Sequence, residues 1–243
     1  MNSGGTAPGR LPPKAMILAA GRGERMRPLT DHWPKPLLEI GGRPLIEWHL
    51  RALADGGVRE VVVNTAWRAG VLEQWLGDGS RWGVRLSVSR EPPGALDTGG
   101  GVLHALPMLG DEPFCLINGD VWSDFDLARL PASPPGDAHL VMVPNPEHHP
   151  RGDWGLRGDQ VVEDGGERRT YAGIAVLRPG LFAGHAAGAF PLTGPLKRAV
   201  AEGRVSGQLH EGLWSDVGTP ERLRAARAVW ARGTTDGGSS RRR

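Results

Sequence analysis

A chain of 243 residues is long enough to bury a substantial core as one α/β domain, and its single cysteine excludes a disulfide-stapled scaffold. The formal net charge is +2, but Arg10, Lys14 and Arg241–Arg243 lie in or beside the ends. With those and Asp236 set aside, 24 basic residues face 26 acidic ones, so the body carries about −2 and gives no case for nucleic-acid binding.

Met1–Pro13 is rich in Gly and Pro and lacks apolar periodicity, so it is read as a disordered extension. The folded domain is expected over residues 14–232, and Gly233–Arg243 is read as a second flexible tail. No apolar run of about 18 residues and no signal-peptide pattern occurs, so no membrane partner is expected and the cytoplasm is the default compartment.

The stretch Lys14–Leu38 organises the rest. Ala15–Ala20 reads as a strand buried on both faces, emptying into a Gly-rich loop that carries Arg22, Arg25 and Arg27. The stretch ends at Lys35, held between Pro34 and Pro36. Gly21 and Gly23 permit close approach of a ligand, the arginines supply forked donors, and Lys35 supplies a movable point charge. A buried strand opening into such a loop suits a nucleoside triphosphate. A dinucleotide fingerprint is excluded because Met26 stands where its third glycine belongs, and no G-K-[ST] closes the loop as in a P-loop. Lysine is uncommon here, with 3 against 26 arginines, which draws attention to Lys35.

Further along, Pro44–Ala54 has apolar residues at helical spacing, with Pro44 as the first helical residue and Gly56-Gly57 as the stop. Val58–Asn64 reads as a strand, Ala69–Leu76 as a helix, and Val84–Ser89 as a strand with one wet face. Glu91–Gly101 leads into a helix over Gly99–Leu109 capped by Asp97 or Thr98. Three glycines at a helix start have poor propensity, and their bare amides suit a base edge or a phosphate. Phe114–Asn118 is a short buried strand in which Cys115 reads as an inert core thiol. This alternation predicts a mostly parallel sheet with helices on both faces, and ligands beyond the carboxyl ends of the strands. The loop after Ala19 and the turn after Ile117 then face one crevice.

That turn, Asn118-Gly119-Asp120, is either a hairpin signal or a strand tip whose carboxylate holds a divalent cation. In Val141–Leu156 a strand gives way to dense turn chemistry, where His148 and His149 are adjacent, point to opposite faces and make a poor metal pair. Tyr171–Val176 reads as a strand. Asp216 precedes a helix with Thr219 as its cap, Pro220 at its first position and an amphipathic run to Trp230.

The string A-A-G-x-G-x-R-M-R-P-L-T followed by P-K-P-L resembles the signature of the sugar-1-phosphate nucleotidyltransferases, and the resemblance covers about Lys14–Trp230. It implies a Rossmann-like, mixed but mostly parallel sheet in a three-layer α/β/α arrangement. Its implied reaction is attack of a sugar phosphate on the α-phosphorus of a nucleoside triphosphate. In that family the loop wraps the triphosphate, which assigns Ala20, Gly21, Arg22, Gly23, Glu24, Arg25 and Lys35 to the nucleotide. The L-D-T-G-G-G run resembles the family's base-recognition loop and adds Thr98, Gly99, Gly100 and Glu91. Asp120 and Asp216, the latter in W-x-D-V-G-T-P, match the family's Mg²⁺ aspartates. With Arg25 and Lys35 they form the implied catalytic set. Spacing alone does not bring the two aspartates together.

The N-P-x-H-H-x-x-G-D run resembles the sugar-side insertion of uridylyltransferases acting on N-acetylmuramate 1-phosphate. The lactyl carboxylate of that sugar favours nearby cations, with Arg151 and the two histidines as candidates. Asp153, Asn118 and Gly173, the last in Y-A-G-I-A-V, are the other implied sugar contacts. Asp97 in place of Glu is a departure, as is Glu24 where many relatives have Thr. No left-handed β-helix repeat follows, so a second activity is not expected. The leading expectation is uridylyl transfer to N-acetylmuramate 1-phosphate. Mannose-1-phosphate guanylyl transfer and glucose-1-phosphate thymidylyl or uridylyl transfer stand as alternatives. An inactive nucleotide-sugar sensor is opposed by the intact Lys35, Asp120, Asp216 and glycine loop. The expected partners are small molecules, with a monomer as the first expectation and a dimer left open.

Overall fold

Alternation within the first strand sets the layer order. In the computed structural model, which describes residues 11–235, β1 (Lys14–Leu18) turns Ala15 and Ile17 to one apolar cluster and Met16 to another. Two short strands, β2 (Glu39–Ile40) and β3 (Arg43–Pro44), pair as a ribbon before α1 (Leu45–Asp55). The first half continues with β4 (Glu60–Thr65), α2 (Ala69–Leu76), β5 (Arg85–Arg90), α3 (Asp97–Leu109), β6 (Phe114–Asn118) and β7 (Val121–Ser123). The second half holds β8 (Ala138–Val143), β9 (Trp154–Arg157), β10 (Gln160–Val162), β11 (Glu167–Leu177), α4 (Thr193–Ala201), β12 (Val205–Leu209), β13 (Trp214–Asp216) and α5 (Pro220–Thr235).

The main sheet has nine strands in the order β5-β4-β1-β6-β11-β8-β12-β10-β9, in which only β11 and β10 run against the others. Helices α1 and α2 cover one face through Ile46, Leu50, Leu53, Leu72 and Leu76. Helices α3 and α4 cover the other through Val102, Ala105, Leu109, Leu196 and Val200. This is the three-layer, mostly parallel arrangement expected from the alternation of elements. A third cluster ties α5 to the glycine loop through Met26, Ile40, Leu45, Val217 and Leu223. No helix among the described residues is long and apolar enough to cross a membrane.

Several boundaries move. Leu11 is buried against Gly56, and the Pro13 carbonyl accepts from Arg59 N, so residues 11–13 belong to the folded body rather than to an extension. At the other end α5 runs on to Thr235; residues 1–10 and 236–243 lie outside the described residues. Pro44 caps α1 in an extended conformation instead of opening it, and Leu45 N donates to Leu38 O at 2.9 Å. Helix α3 starts at Asp97, and neither Asp97 nor Thr98 caps it, because the Thr98 hydroxyl accepts from Leu192 N at 2.9 Å. Thr219 does cap α5, its hydroxyl accepting from Arg222 N at 3.3 Å.

Candidate active site

The carboxyl ends of β5, β4, β1 and β6 emerge along one edge of the sheet, and a cleft with a cavity volume of about 340 Å³ opens there. Its walls include Ala20, Gly21, Gly23, Glu24, Arg25 and Lys35 from the loop after β1. Asn118 and Asp120 come from the end of β6 and the turn after it, and Glu91, Thr98 and Gly218 from elsewhere. Gly119 locks the turn to β1: its N–H donates to Leu18 O at 2.8 Å, and a Cβ there would lie 2.6 Å from the same oxygen.

Short 3₁₀ turns at Glu24–Met26, Leu29–Asp31 and Lys35–Leu37 coil the loop. Gly23 has a left-handed φ of 65°, and a Cβ on it would lie 3.0 Å from Thr30 Cγ2 and 3.4 Å from Lys35 Cβ. The lysine stem therefore packs against the glycine, which aims the ammonium at the turn after β6. Lys35 Nζ lies 2.5 Å from Asp120 Oδ2. Arg25 has no ion-pair partner among the described residues and keeps its donors for a ligand. Arg22 turns away, pairing with Glu24 at 3.1 Å and lying over Trp67 at 4.6 Å, along a side hollow shared with Ala20 and Glu91.

The partner aspartate arrives through the pairing of β7 with β13. Asp216 stands opposite Val121 in that register, and Val217 N donates to Asp120 O at 2.8 Å. Asp216 Oδ2 lies 2.5 Å from Arg222 Nη1, and Oδ1 lies 3.0 Å from His148 Nε2. His148 Nε2 is also 2.7 Å from Arg222 Nη1, so where it accepts from that arginine the buried Oδ1 has no hydrogen bond. No group of three or more His, Cys, Asp or Glu is gathered for a metal among the described residues. Asp120 lines the cleft, whereas Asp216 is absent from its walls and gives Oδ2 to Arg222; its buried Oδ1 is the oxygen left for a hard cation that takes the rest of its shell from Asp120 and substrate oxygens.

Behind this edge, His49 on α1 is buried, with Nε2 unpartnered. Burial lowers its pKa to about 4, and the Asp120 charge and the Val121 backbone oppose the shift.

Other expected contacts are turned to structural tasks. Gly99 N and Gly100 N both donate to Phe190 O, at 2.9 and 3.0 Å, so these amides do not face a nucleotide. Each glycine of the triplet answers a close approach: Phe190 at Gly99, Gly188 O at Gly100, and Glu91 Oε1 at Gly101. Glu91 is spent within the chain, accepting from Asn64 Nδ2 at 2.7 Å and from Leu96 N at 2.8 Å, although it still lines the cleft. Both oxygens of Asp153 are engaged, with His149 Nε2 at 3.1 Å and Tyr171 N at 2.8 Å, which fastens the insertion to β11. Arg151 is exposed and absent from the cleft walls; its carbonyl accepts from Arg168 Nε.

Gly173 has a φ of +74°, and a Cβ on it would lie 2.7 Å from Asn118 Nδ2, so this kink in β11 makes room for the Asn118 amide. The buried Asn118 Oδ1 has no partner. The sequence reading missed Asn64, which accepts from Ala19 N at 2.6 Å and holds the start of the glycine loop. Its signal was present: V-V-V-N ends a strand as F-C-L-I-N does. Asp97 was also missed as a lining residue; its φ of 58° is unusual for a side chain other than glycine. Arg222 carried no signal at all.

The profile of the nucleotidyl transferase family matches residues 14–154. The chain is 49% identical over 225 residues to the N-acetylmuramate alpha-1-phosphate uridylyltransferase of Neisseria meningitidis serogroup B, covering 89% of this chain and 97% of that one. It is 37% identical over 235 residues to the enzyme of the same name from Caulobacter vibrioides, with 90% and 97% covered. The fold is similar to the crystal structure of a UDP-glucose pyrophosphorylase complexed with UDP-glucose. The TM-score is 0.73 at 17% identity, with 92% of this chain and 100% of that one covered, a likeness that speaks for the fold alone.

Proposed function

The chain belongs to the nucleotidyl transferase family, and on that premise we propose that it transfers UMP from UTP to N-acetylmuramate α-1-phosphate. The products are UDP-N-acetylmuramate and pyrophosphate, which returns a cell-wall sugar to the nucleotide-sugar pool. The observation that carries the reading is the meeting of Lys35 with Asp120 across the glycine-lined cleft. The names of the two relatives support the choice of base and sugar.

A phosphate oxygen of the sugar attacks the α-phosphorus, a new O–P bond forms, and the bond to the β-phosphate oxygen breaks. A sugar phosphate is already ionised near neutrality, so no general base is needed and the protein's task is alignment and charge neutralisation. Arg25 and the loop amides receive the departing pyrophosphate. Lys35 holds phosphate on the reacting line once a ligand competes with Asp120 for its ammonium. Asp120 and Asp216 are the residues that would hold Mg²⁺, which supplies positive charge to the phosphate oxygens when bound. Asn118, beside Gly173, faces the sugar side. Thr98 and Glu91 shape the nucleotide side as walls. A reaction on UTP and a sugar phosphate supports a cytoplasmic setting with small molecules as partners.

Pyrophosphate release across four nucleoside triphosphates and several sugar 1-phosphates tests the reading. The expected maximum is UTP with N-acetylmuramate α-1-phosphate; silence on that pair in an enzyme active on another would overturn it.

A further inference from the structure

We infer that Arg222, with His148 beside it, recognises the carboxylate of the acceptor and so selects an acidic sugar phosphate over a neutral one. The inference rests on the muramate reading, because N-acetylmuramate carries a lactyl carboxylate that N-acetylglucosamine lacks.

Arg222 sits in the first turn of α5, where the Thr219 hydroxyl accepts from its backbone N–H at 3.3 Å. Its side chain is only 17% exposed, against 73% for a surface arginine such as Arg85. The guanidinium converges on Gly218, a residue of the cleft wall. A Cβ on Gly218 would lie 2.5 Å from Arg222 Nη2 and 3.4 Å from Arg25 Nη2, so two guanidinium groups meet at one point of that wall. Glycine is the residue that leaves room for both.

Only one nitrogen of Arg222 is occupied. Nη1 lies 2.5 Å from Asp216 Oδ2 and 2.7 Å from His148 Nε2, while Nη2 has no acceptor among the described residues. A guanidinium offers five donors in a planar fork, so an edge remains for a second acceptor. The group already grips one carboxylate, and the chemistry it presents to a ligand is the same. His148 comes from the turn between β8 and β9 and is 42% exposed, with Nε2 within 3.0 Å of both groups of the pair.

The competing cations are accounted for. Lys35 is held by Asp120, Arg25 belongs to the loop that faces the polyphosphate, His149 is turned to Asp153, and Arg151 is exposed.

The test compares N-acetylmuramate α-1-phosphate with N-acetylglucosamine α-1-phosphate at saturating UTP, in the wild type and in Arg222→Gln, by pyrophosphate release. The variant is expected to raise KM for the muramate acceptor about tenfold or more, the scale of losing one partner of a buried charge pair. Its kcat and its KM for UTP should move far less, and the preference for the acidic acceptor should collapse. Arg222→Lys, which keeps the charge without the fork, should recover only part of it. An unchanged muramate KM, or an equal loss on both acceptors, would show that Arg222 merely props Asp216. Should Arg222→Gln not fold, His148→Gln carries the same comparison, and an unaltered preference there overturns the inference. Wild-type silence on the muramate acceptor removes the functional reading and this inference together. Wild-type turnover with an unaltered preference in a folded variant removes this inference alone.

Discussion

Lys35 and Asp120, 85 residues apart in sequence, meet at 2.5 Å because a glycine at each side lets two loops close on one another. Gly23 accepts the lysine stem and Gly119 accepts the end of β1, so both partners are placed by backbone that a larger residue would push apart. The side chains are 13% and 31% exposed, so the pair is part-buried and its two charges stand at the wall of the cleft.

From that pairing, Asp120→Asn and Lys35→Ala should each lower turnover by about a hundredfold or more while moving the urea midpoint little. Steady-state pyrophosphate release and urea titration on the same preparations check this. Turnover near the wild-type rate in Asp120→Asn would remove that residue from the mechanism.

Gly173→Ala strains a left-handed position and drives a methyl group into the Asn118 amide. The two effects together should cost about 2–4 kcal/mol. The acceptor KM should rise with them, since Asn118 is pushed from its place. An unchanged melting temperature and acceptor KM would show that β11 relaxes freely at this kink.

His49 gives the fold a specific acid sensitivity. Its folded pKa, about 4, lies below the unfolded value of about 6.5, so below that pH the unfolded chain binds a proton that the folded chain refuses. The contribution is absent above neutrality. Stability is lost as pH falls from about 6.5 towards 4, by up to about 3 kcal/mol. Urea midpoints at pH 7, 6 and 5 should fall in the wild type and fall less in His49→Leu. Parallel curves would assign the sensitivity to other groups.

Cys115, the one thiol of the chain, is fully buried in β6, and burial pushes its pKa up to about 12. An aromatic disulfide reagent should leave it unmodified in native buffer and react fully in urea. The rate at low denaturant should follow unfolding, which makes the residue a probe of global opening. Rapid labelling of the native protein would contradict its burial.

Much of this protein was fixed by local sequence. The run Ala15–Ala20 reads as a buried strand because it is apolar throughout, and the strand forms two residues short of that end, over Lys14–Leu18. Ala69–Leu76 is a helix at the expected bounds because its periodicity and its flanking loops agree. The chemistry of the glycine loop was legible for the same reason: glycine, arginine and proline act on the backbone and charge where they stand.

Tertiary structure alone decided which polar groups remain free for a ligand. Thr98, Gly99 and Gly100 look like a ligand-facing helix start until the segment around Phe190 takes their bonds, with Leu192 lying 94 residues from Thr98. Asp153 looks like a sugar contact until His149 and Tyr171 claim both of its oxygens. Asp120 and Asp216 become neighbours only through the antiparallel register of β7 and β13, and Arg222 reaches Asp216 and Gly218 only because α5 starts beside them. A residue's conformational preference is spent within a few neighbours along the chain, whereas a donor or acceptor is satisfied by whatever the closed fold brings within about 3 Å of it.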